Sequence, residues 1–454
     1  MGNQLVFRAC SLFMFLPKNI QNCIDLLENA GFAAYAVGGC VRDACLGLSP
    51  HDYDLCTNAL PEQTENVFCD YRLVLAGEKH GTVTVITESG PVEITTFRRE
   101  GGYRDNRHPD WVKFVPDVEG DLARRDFTVN AMAYSPTRGF SDPFGGREDL
   151  RNHVLRAVGD PDARFQEDSL RILRGLRFSA RFGLDLEENT LNAMFRQSNL
   201  MENLARERVF EELCKLFLVA KAEDITRFAD ILAAVIPELK PMIGFDQHSP
   251  HHAYDLITHT AHVVAGVPAN LPLRWAALLH DMGKVTTFTR DATGRGHFYG
   301  HAKESAAIAD TVLRRLKAPT ALREEVVTLI GKHMTRLQPE RKLLRRQVSK
   351  YGFPMVEAQL ALQEADMGSK GTGEADGSTV FAEVRQMLEE LKAEDACLSL
   401  KDLAVNGNHL MALGYRGKEI GACLNALLEQ VIEERLPNEK EALLTFAAER
   451  KEEL

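Results

Sequence analysis

The chain has no Cys-x-x-Cys pair, and its nine cysteines, an odd number, are scattered over 454 residues. That spacing excludes a disulfide framework and a structural zinc site, and leaves the cysteines as small buried hydrophobes. Long apolar runs are missing as well. The stretch from Leu12 to Leu16 is far too short to span a bilayer and stops at Pro17 and Lys18, so we expect a cytoplasmic protein with no membrane partner. Val6 stands where a myristoylation motif wants Ser or Thr, which excludes that anchor. The patterned sequence begins just after Met14, which offers a second start besides Met1. Low-complexity tracts and internal repeats are absent too. Positive charge is in short supply, with 54 Lys and Arg against 65 Asp and Glu for a net charge of −11. A diffuse nucleic-acid-binding surface is therefore excluded, and any basic site must be local.

The length suggests about three domains. Strand-like runs at Tyr71 to Leu75, Gly81 to Thr87 and Val92 to Phe97 mix with helical pattern up to about residue 150, while helical spacing dominates almost everything beyond 160. The expected class is α+β. Breaks at Pro237 to Pro250 and Gly368 to Gly377 give an extension over 1–17, a head over 18–150, a helical neck over 151–240, a third segment over 241–367 and a helical tail over 368–454.

Chemistry is concentrated in the head. Gly38-Gly39 follows an apolar strand, so its amides can approach a triphosphate with no Cβ in the way, and Arg42 adds charge. Asp52 and Asp54 flank Tyr53, and strand alternation would turn both carboxylates to one face, where a bound metal relieves their repulsion. Val92-Glu93-Ile94 offers a third acid between apolar neighbours.

The run Gly38-Gly39-Cys40-Val41-Arg42-Asp43 with Asp52-Tyr53-Asp54 resembles the signature of polymerase-β-like nucleotidyltransferases, and specifically of the class II tRNA nucleotidyltransferases. The resemblance continues in order along most of the chain. It implies a head of mixed sheet plus helices, two Mg²⁺ ions on Asp52 and Asp54 with Glu93 as a further candidate, and tRNA, CTP and ATP as partners. The stretch Arg124 to Ala131 is similar to the motif that contacts ribose and triphosphate, which implicates Arg125, Asp126 and Asn130. Asp126 alone reads equally as a helix N-cap. Asp142-Pro143-Phe144-Gly145-Gly146 resembles the hinge between head and neck.

Glu167-Asp168-Ser169-Leu170-Arg171 is similar to the family's amino-acid template for the incoming base. Asp168 and Arg171, at i and i+3, would present an acceptor and a fork of donors, although a surface ion pair is the plainer meaning of that spacing. Arg171, Arg174, Arg177 and Arg181 form a stripe whose self-repulsion calls for an anion opposite. Glu207 to Glu212 resembles the motif that braces the template helix. The polar loop from Phe97 to Pro109 resembles the one that full CCA-adding members carry.

His280-Asp281 resembles the signature of HD phosphohydrolases. The resemblance implies His259 and Asp366 as further ligands, with His301 and His333 as additional histidines of two-metal members, around a divalent metal whose identity the donor set leaves open. In the tail, Arg341, Lys342, Arg345, Arg346 and Lys350 form a basic cluster readable as a tRNA contact or as a solvated face. Competing readings are a bacterial poly(A) polymerase, a partial CC- or A-adding enzyme, and an HD phosphohydrolase whose head only binds RNA.

Overall fold

The computed structural model describes residues 14–77, 81–101, 111–250, 252–371, 378–394 and 396–452. It divides into two compact units, the first running to Ala220 and including Arg227–Lys240, the second made of Lys221–Thr226 and everything from Pro241.

The first unit opens with α1 (Lys18–Asn29), whose Ile20, Cys23, Ile24 and Leu27 recur at helical spacing and form its buried face. A seven-stranded sheet follows, with order β3-β4-β5-β2-β1-β8-β9. Its strands are β1 (Ala34–Val37), β2 (Asp54–Thr57), β3 (Arg72–Val74), β4 (Thr82–Thr87), β5 (Gly90–Thr96), β8 (Ala133–Ser135) and β9 (Gly139–Ser141). Every pairing is antiparallel except β2 with β5, whose parallel register sets Asp54 beside Glu93. The runs at 71–75, 81–87 and 92–97 each contain a strand.

The expectation of one strand carrying both aspartates needs correction. Val37 pairs with Asp54 as the last partners of β1 and β2. The chain then leaves β1 at Gly38, where φ is 78°, so Asp52 and Tyr53 have no strand to pair with and lie in the lead-in. Between β5 and β8, β6 (Arg98–Gly101) and β7 (Trp111–Phe114) form a hairpin. The rest of the expected loop, 102–110, lies outside the described residues.

Short helices α2 (Gly39–Cys45), α3 (Pro61–Val67), α4 (Val118–Leu122) and α5 (Gly146–Arg151) decorate the sheet. Asp142 caps α5 by accepting from the amides of Gly146 and Arg147 at 2.7 and 3.0 Å. Gly146 lies against the carbonyl of Thr128, where any Cβ would collide with backbone. Beyond it come α6 (Pro161–Glu167), α7 (Leu170–Phe182), α8 (Glu188–Gln197) and α9 (Arg206–Phe217), with a two-strand ladder of β10 (Val154–Leu155) and β11 (Asp185–Leu186).

The second unit is helical: α10 (Ala222–Arg227) reaches into it, α11 (Ala229–Ala233) belongs to the first unit, and α12 (Leu256–Gly266) opens its main run. Then follow α13 (Leu271–Leu279), α14 (Lys284–Thr287), α15 (His301–Arg315), α16 (Thr320–Lys332), α17 (Arg341–Tyr351) and α18 (Phe353–Gly368). After α14 comes a small hairpin of β12 (Thr289–Arg290) and β13 (Gly296–His297). Trp275 on α13 is fully buried in the core. Helices α19 (Ser378–Ala393), α20 (Gly407–Ala412), α21 (Lys418–Ile432) and α22 (Lys440–Glu452) complete the unit.

Within the basic cluster on α17, Arg345 is structural and the others lie nearer the surface. Arg345, itself buried, donates to the carbonyls of Val431 and Ile432 at the end of α21, where a helix has acceptors left over and a negative pole. Arg341 pairs with Glu394 and Glu434, and Arg346 with Glu433.

Because Gly146 abuts backbone rather than a movable side chain, Gly146→Ala is expected to destabilise the first unit by about 1–3 kcal/mol. A lower urea midpoint by circular dichroism, with Gly145→Ala as the comparison for backbone strain, checks it.

Candidate active site and candidate metal centre

In the first unit a polar cavity of about 430 Å³ gathers many of the residues singled out in the head and neck, though not Gly38, Asp52 or Glu93. Gly39, Arg42, Asp54, Arg125, Asp126, Asn130, Asp168, Arg171 and Arg174 all line it, with Arg177, Arg181 and Arg208 adding positive charge. The charge deficit of the whole chain is thus reversed locally. Gly38 is required here: a Cβ on it would stand 2.6 Å from Nη1 of Arg125, in a backbone conformation that favours glycine.

Asp54 opens β2 at the cavity edge. Partial desolvation and the charges of Glu93 and Asp52 hold its carboxyl above the usual carboxylate range, with Arg125 pulling the other way. A carboxylate so placed, with two further acids nearby, suits a cation. Their oxygens are not drawn together as a closed cage, since the only groups of metal-ligating atoms within 4.8 Å of one another among the described residues lie in the second unit.

A chain of buried polar groups holds the cavity floor. Arg174 donates to Oδ2 of Asp126 at 2.8 Å, and Oδ1 of Asp126 accepts from the Phe127 amide and from Nδ2 of Asn130, each at 2.9 Å. Asn130 in turn accepts from Nη1 of Arg42 at 2.5 Å, and Nη2 and Nε of that guanidinium donate to Asp43 at 2.6 and 2.8 Å. Arg42 also lies over the rings of Phe178 and Phe182. Burial works against the Asp126 carboxylate, but Arg174 and Asn130 outweigh it and hold its pKa well below the ordinary value. Asp126 is therefore the centre of a network rather than the helix cap that its sequence position also allowed.

The template motif departs from the expected helical pair. Helix α6 ends at Glu167, Asp168 has extended backbone, and α7 begins at Leu170, so Asp168 and Arg171 do not share one helical face. Oδ1 of Asp168 accepts from the Leu170 amide, and Oδ2 from Arg208 at 3.1 Å. Arg171 turns the other way, donating to Glu167 and to the carbonyls of Arg164 and Arg124. Its fork is thus tied to the 124–126 segment, which neither the template reading nor the plain ion-pair reading foresaw. The arginine stripe finds its anions inside the protein, since Arg174 meets Asp126 and Arg177 meets Glu212 at 2.7 Å. With the Asp168–Arg208 pair, this makes the 207–212 stretch on α9 a brace for α7.

Asp121 was not singled out from the sequence. Buried on α4, it accepts from Arg124 at 2.8 and 3.0 Å and from Arg125 at 3.3 Å. Its spacing of three and four residues from two arginines on a helical turn was the available signal.

The second unit brings all six predicted HD residues together. His259, His280, Asp281 and Asp366 form one group, and Asp281, His301 and His333 another, so Asp281 is shared. His280-Asp281 falls where α13 gives way to turns before α14, the irregularity that lets neighbouring side chains converge. Nε2 of His259 lies 3.1 Å from Asp366 and 3.5 Å from Asp281, and Nε2 of His280 is 3.2 Å from Asp281. All four Nδ1 atoms face backbone carbonyls: Ser369 for His259, Ala277 for His280, Phe298 for His301 and Ile330 for His333, at 2.7 to 3.2 Å. That holds Nδ1 of each ring on the main chain and turns Nε2 inward, the atom that would ligate an ion once free of its proton. Nε2 of His259 and of His280 is buried without a hydrogen-bond partner, and Nε2 of His301 and His333 face each other at 3.2 Å. Buried ring nitrogens and carboxylates converging in this way fit divalent cations. Lys284, also buried, meets Asp281 at 2.7 Å and Gln247 at 2.9 Å. Burial alone would push His259 down, but the carboxylates of Asp281 and Asp366 hold it up at about 9.

The head geometry defines a nucleotidyltransferase. Residues 34–156 match the "Poly A polymerase head domain", 183–243 the "Probable RNA and SrmB-binding site of polymerase A", and 298–447 "tRNA nucleotidyltransferase domain 2 putative". The chain is 33% identical over 440 residues to the CCA-adding enzyme of Streptococcus thermophilus, covering 95% of this chain and 97% of that one. In three dimensions it resembles the Bacillus stearothermophilus CCA-adding enzyme, solved in complex with CTP, with a TM-score of 0.68, 27% identity and coverage of 95% and 96%. The Thermotoga maritima CCA-adding enzyme, solved with tRNA, shares the fold at a TM-score of 0.60 and 20% identity. The chain belongs to the CCA-adding enzymes, which complete the 3′ end of tRNA.

Removing the charge at the network centre tests the floor of the cavity. Asp126→Asn is expected to cost about 1.5–3 kcal/mol at neutral pH. The native contribution is complete above an unfolded carboxylate value of about 3.9 and is lost as the pH falls toward the lower folded one. Denaturation midpoints of the two proteins should therefore converge in acid.

Proposed function

We propose that the chain extends tRNA from CTP and ATP without a nucleic-acid template, with Asp52 and Asp54 as the metal-holding catalytic residues and Glu93 as their neighbour. The observation that carries this reading is the Asp54–Glu93 register at the rim of an arginine-lined cavity. Two Mg²⁺ ions, when bound, would neutralise the triphosphate and lower the pKa of the attacking 3′-hydroxyl. The protein's own part is positioning. Amides at Gly38 and Gly39 leave room for phosphates, Arg125 and Arg174 supply charge beside them, and the Arg42–Asn130–Asp126 chain fixes that wall. Asp168, held by Arg208, offers a carboxylate to the incoming base; Arg171 must exchange its present partners to join it.

We assign 18–150 to the head and 151–240 to the neck, with 241–367 as an HD domain and 368–454 as the tail. Among the described residues no helix is long and apolar enough to cross a membrane, which accords with a cytoplasmic site of action. In the HD domain, His259, His280, Asp281 and Asp366 would hold one divalent ion and His301 and His333, with Asp281, a second. Imidazole and carboxylate donors suit Mn, Fe, Co or Ni. Bound metal would supply a hydroxide nucleophile for phosphoester hydrolysis.

Labelled CTP and ATP, offered to transcripts ending before CCA and after CC, should be added in that order, and Asp54→Ala should lower the rate by at least about 10³-fold. Addition of only one nucleotide type would sink the full CCA reading. His280→Ala should lose bound metal by elemental analysis while keeping nucleotide addition. Since His259 sits at about 9 without metal, metal binding near neutral pH should release about one proton. Calorimetry in buffers of different ionisation enthalpy measures that release.

A further inference from the structure

Two aromatic rings stand at the mouth of the cavity over the second cluster, and neither metal holding nor hydrolysis uses them. Tyr299 is 80% exposed. Its ring lies nearly parallel to that of His297, with centroids 5.5 Å apart and planes inclined by 5°. His297 is fixed in turn. Its Nε2 is 2.8 Å from Oδ2 of Asp291, whose other oxygen accepts from the amides of Thr293 and Arg295. The β12–β13 ladder holds the same residue from the backbone side. An exposed tyrosine on a braced imidazole is a preformed flat face, with little ordering left to do when a ligand settles on it.

Both rings line a cavity of about 290 Å³ that also contains Asp281, His301, His333 and Asp366. The size matches one small ligand rather than a folded polymer. Arg336 and Lys370 line it too, and neither is paired with a carboxylate among the described residues. One cavity thus offers metal ligands, two cations for an anionic group, and a planar ring at its lip. A sugar phosphate or pyrophosphate would use the first two and leave the ring in water. A nucleotide uses all three, since every base has a face to stack.

We propose that Tyr299, backed by His297, is a stacking platform for a nucleobase, so that the second site takes the phosphoester of a nucleotide unit, whether a free mononucleotide or the terminal residue of an RNA. The inference rests on reading the cluster as a metal-dependent phosphohydrolase. In the reaction a water oxygen forms a bond to phosphorus, the ester P–O bond breaks, and the departing sugar oxygen takes up the proton; no further reactant is required.

The test uses the full chain loaded with Mn²⁺, its metal content measured. The ratio of kcat/KM for adenosine monophosphate to that for glycerol phosphate should fall about 5- to 100-fold in Tyr299→Ala, chiefly through KM for the nucleotide. Tyr299→Trp should restore the ratio and, as a local reporter, lose fluorescence when adenosine thiophosphate is added but not with glycerol phosphate. An unchanged ratio together with no quenching overturns the platform. If metal binds and neither ester is hydrolysed, the hydrolase reading fails, while quenching in Tyr299→Trp still upholds base stacking. An RNA oligonucleotide ending in a 3′-phosphate separates the two sources: a higher kcat/KM than the mononucleotide makes the ligand an RNA terminus, a lower one a free nucleotide, and either upholds the platform.

Discussion

The buried carboxylate of Asp126 is the constraint on which the transferase site depends. One oxygen takes the guanidinium of Arg174 on α7, and the other takes Asn130, which passes the connection to Arg42 on α2. Two helices and the turn between them are therefore fixed by one chain of hydrogen bonds. Inside a low-dielectric interior such a chain is stiff when every member is satisfied and costly when one is not. It also explains how so many arginines sit together in an acidic protein. Most of their charge is answered by Asp126, Glu212, Glu167 and Asp121, so that only a remainder faces the substrate.

The two sites differ in exposure. In the head Asp54 stands exposed at a cavity edge, with Glu93 beside it in register. In the second unit His259, His280, Asp281, His301 and His333 are buried, and the four rings are oriented by main-chain carbonyls at Nδ1. Lys284 beside Asp281 adds a positive charge that the buried acid would otherwise lack.

Much of this was readable before any coordinates. Strand runs in the head and the glycine pair were legible because alternation and glycine placement report local physics, while the six HD residues, which the structure brings together, came from the resemblance to the HD signature. What stayed hidden was long-range or lay at element boundaries. The end of β2 at Asp54 depends on where β1 loses its partner at Gly38. The break at Asp168 and the turn of Arg171 toward Arg124 depend on contacts across some forty residues of sequence that no window contains. Asp121 was missed because a carboxylate near two arginines looks like surface until its burial is known. On α17 the interior role of Arg345 was hidden for the same reason, since its acceptors are the carbonyls at the end of α21.

One detail of the second cluster has a consequence for how such a site is inherited. His280, His301 and His333 each turn Nδ1 to the carbonyl three residues earlier, of Ala277, Phe298 and Ile330. The tautomer of each ring is thus written by its own turn of main chain rather than by a distant side chain. Mutations elsewhere in the core can drift without erasing it. Each ligand is a short cassette, portable to any scaffold that presents the same turn, and three cassettes suffice to aim most of the pocket.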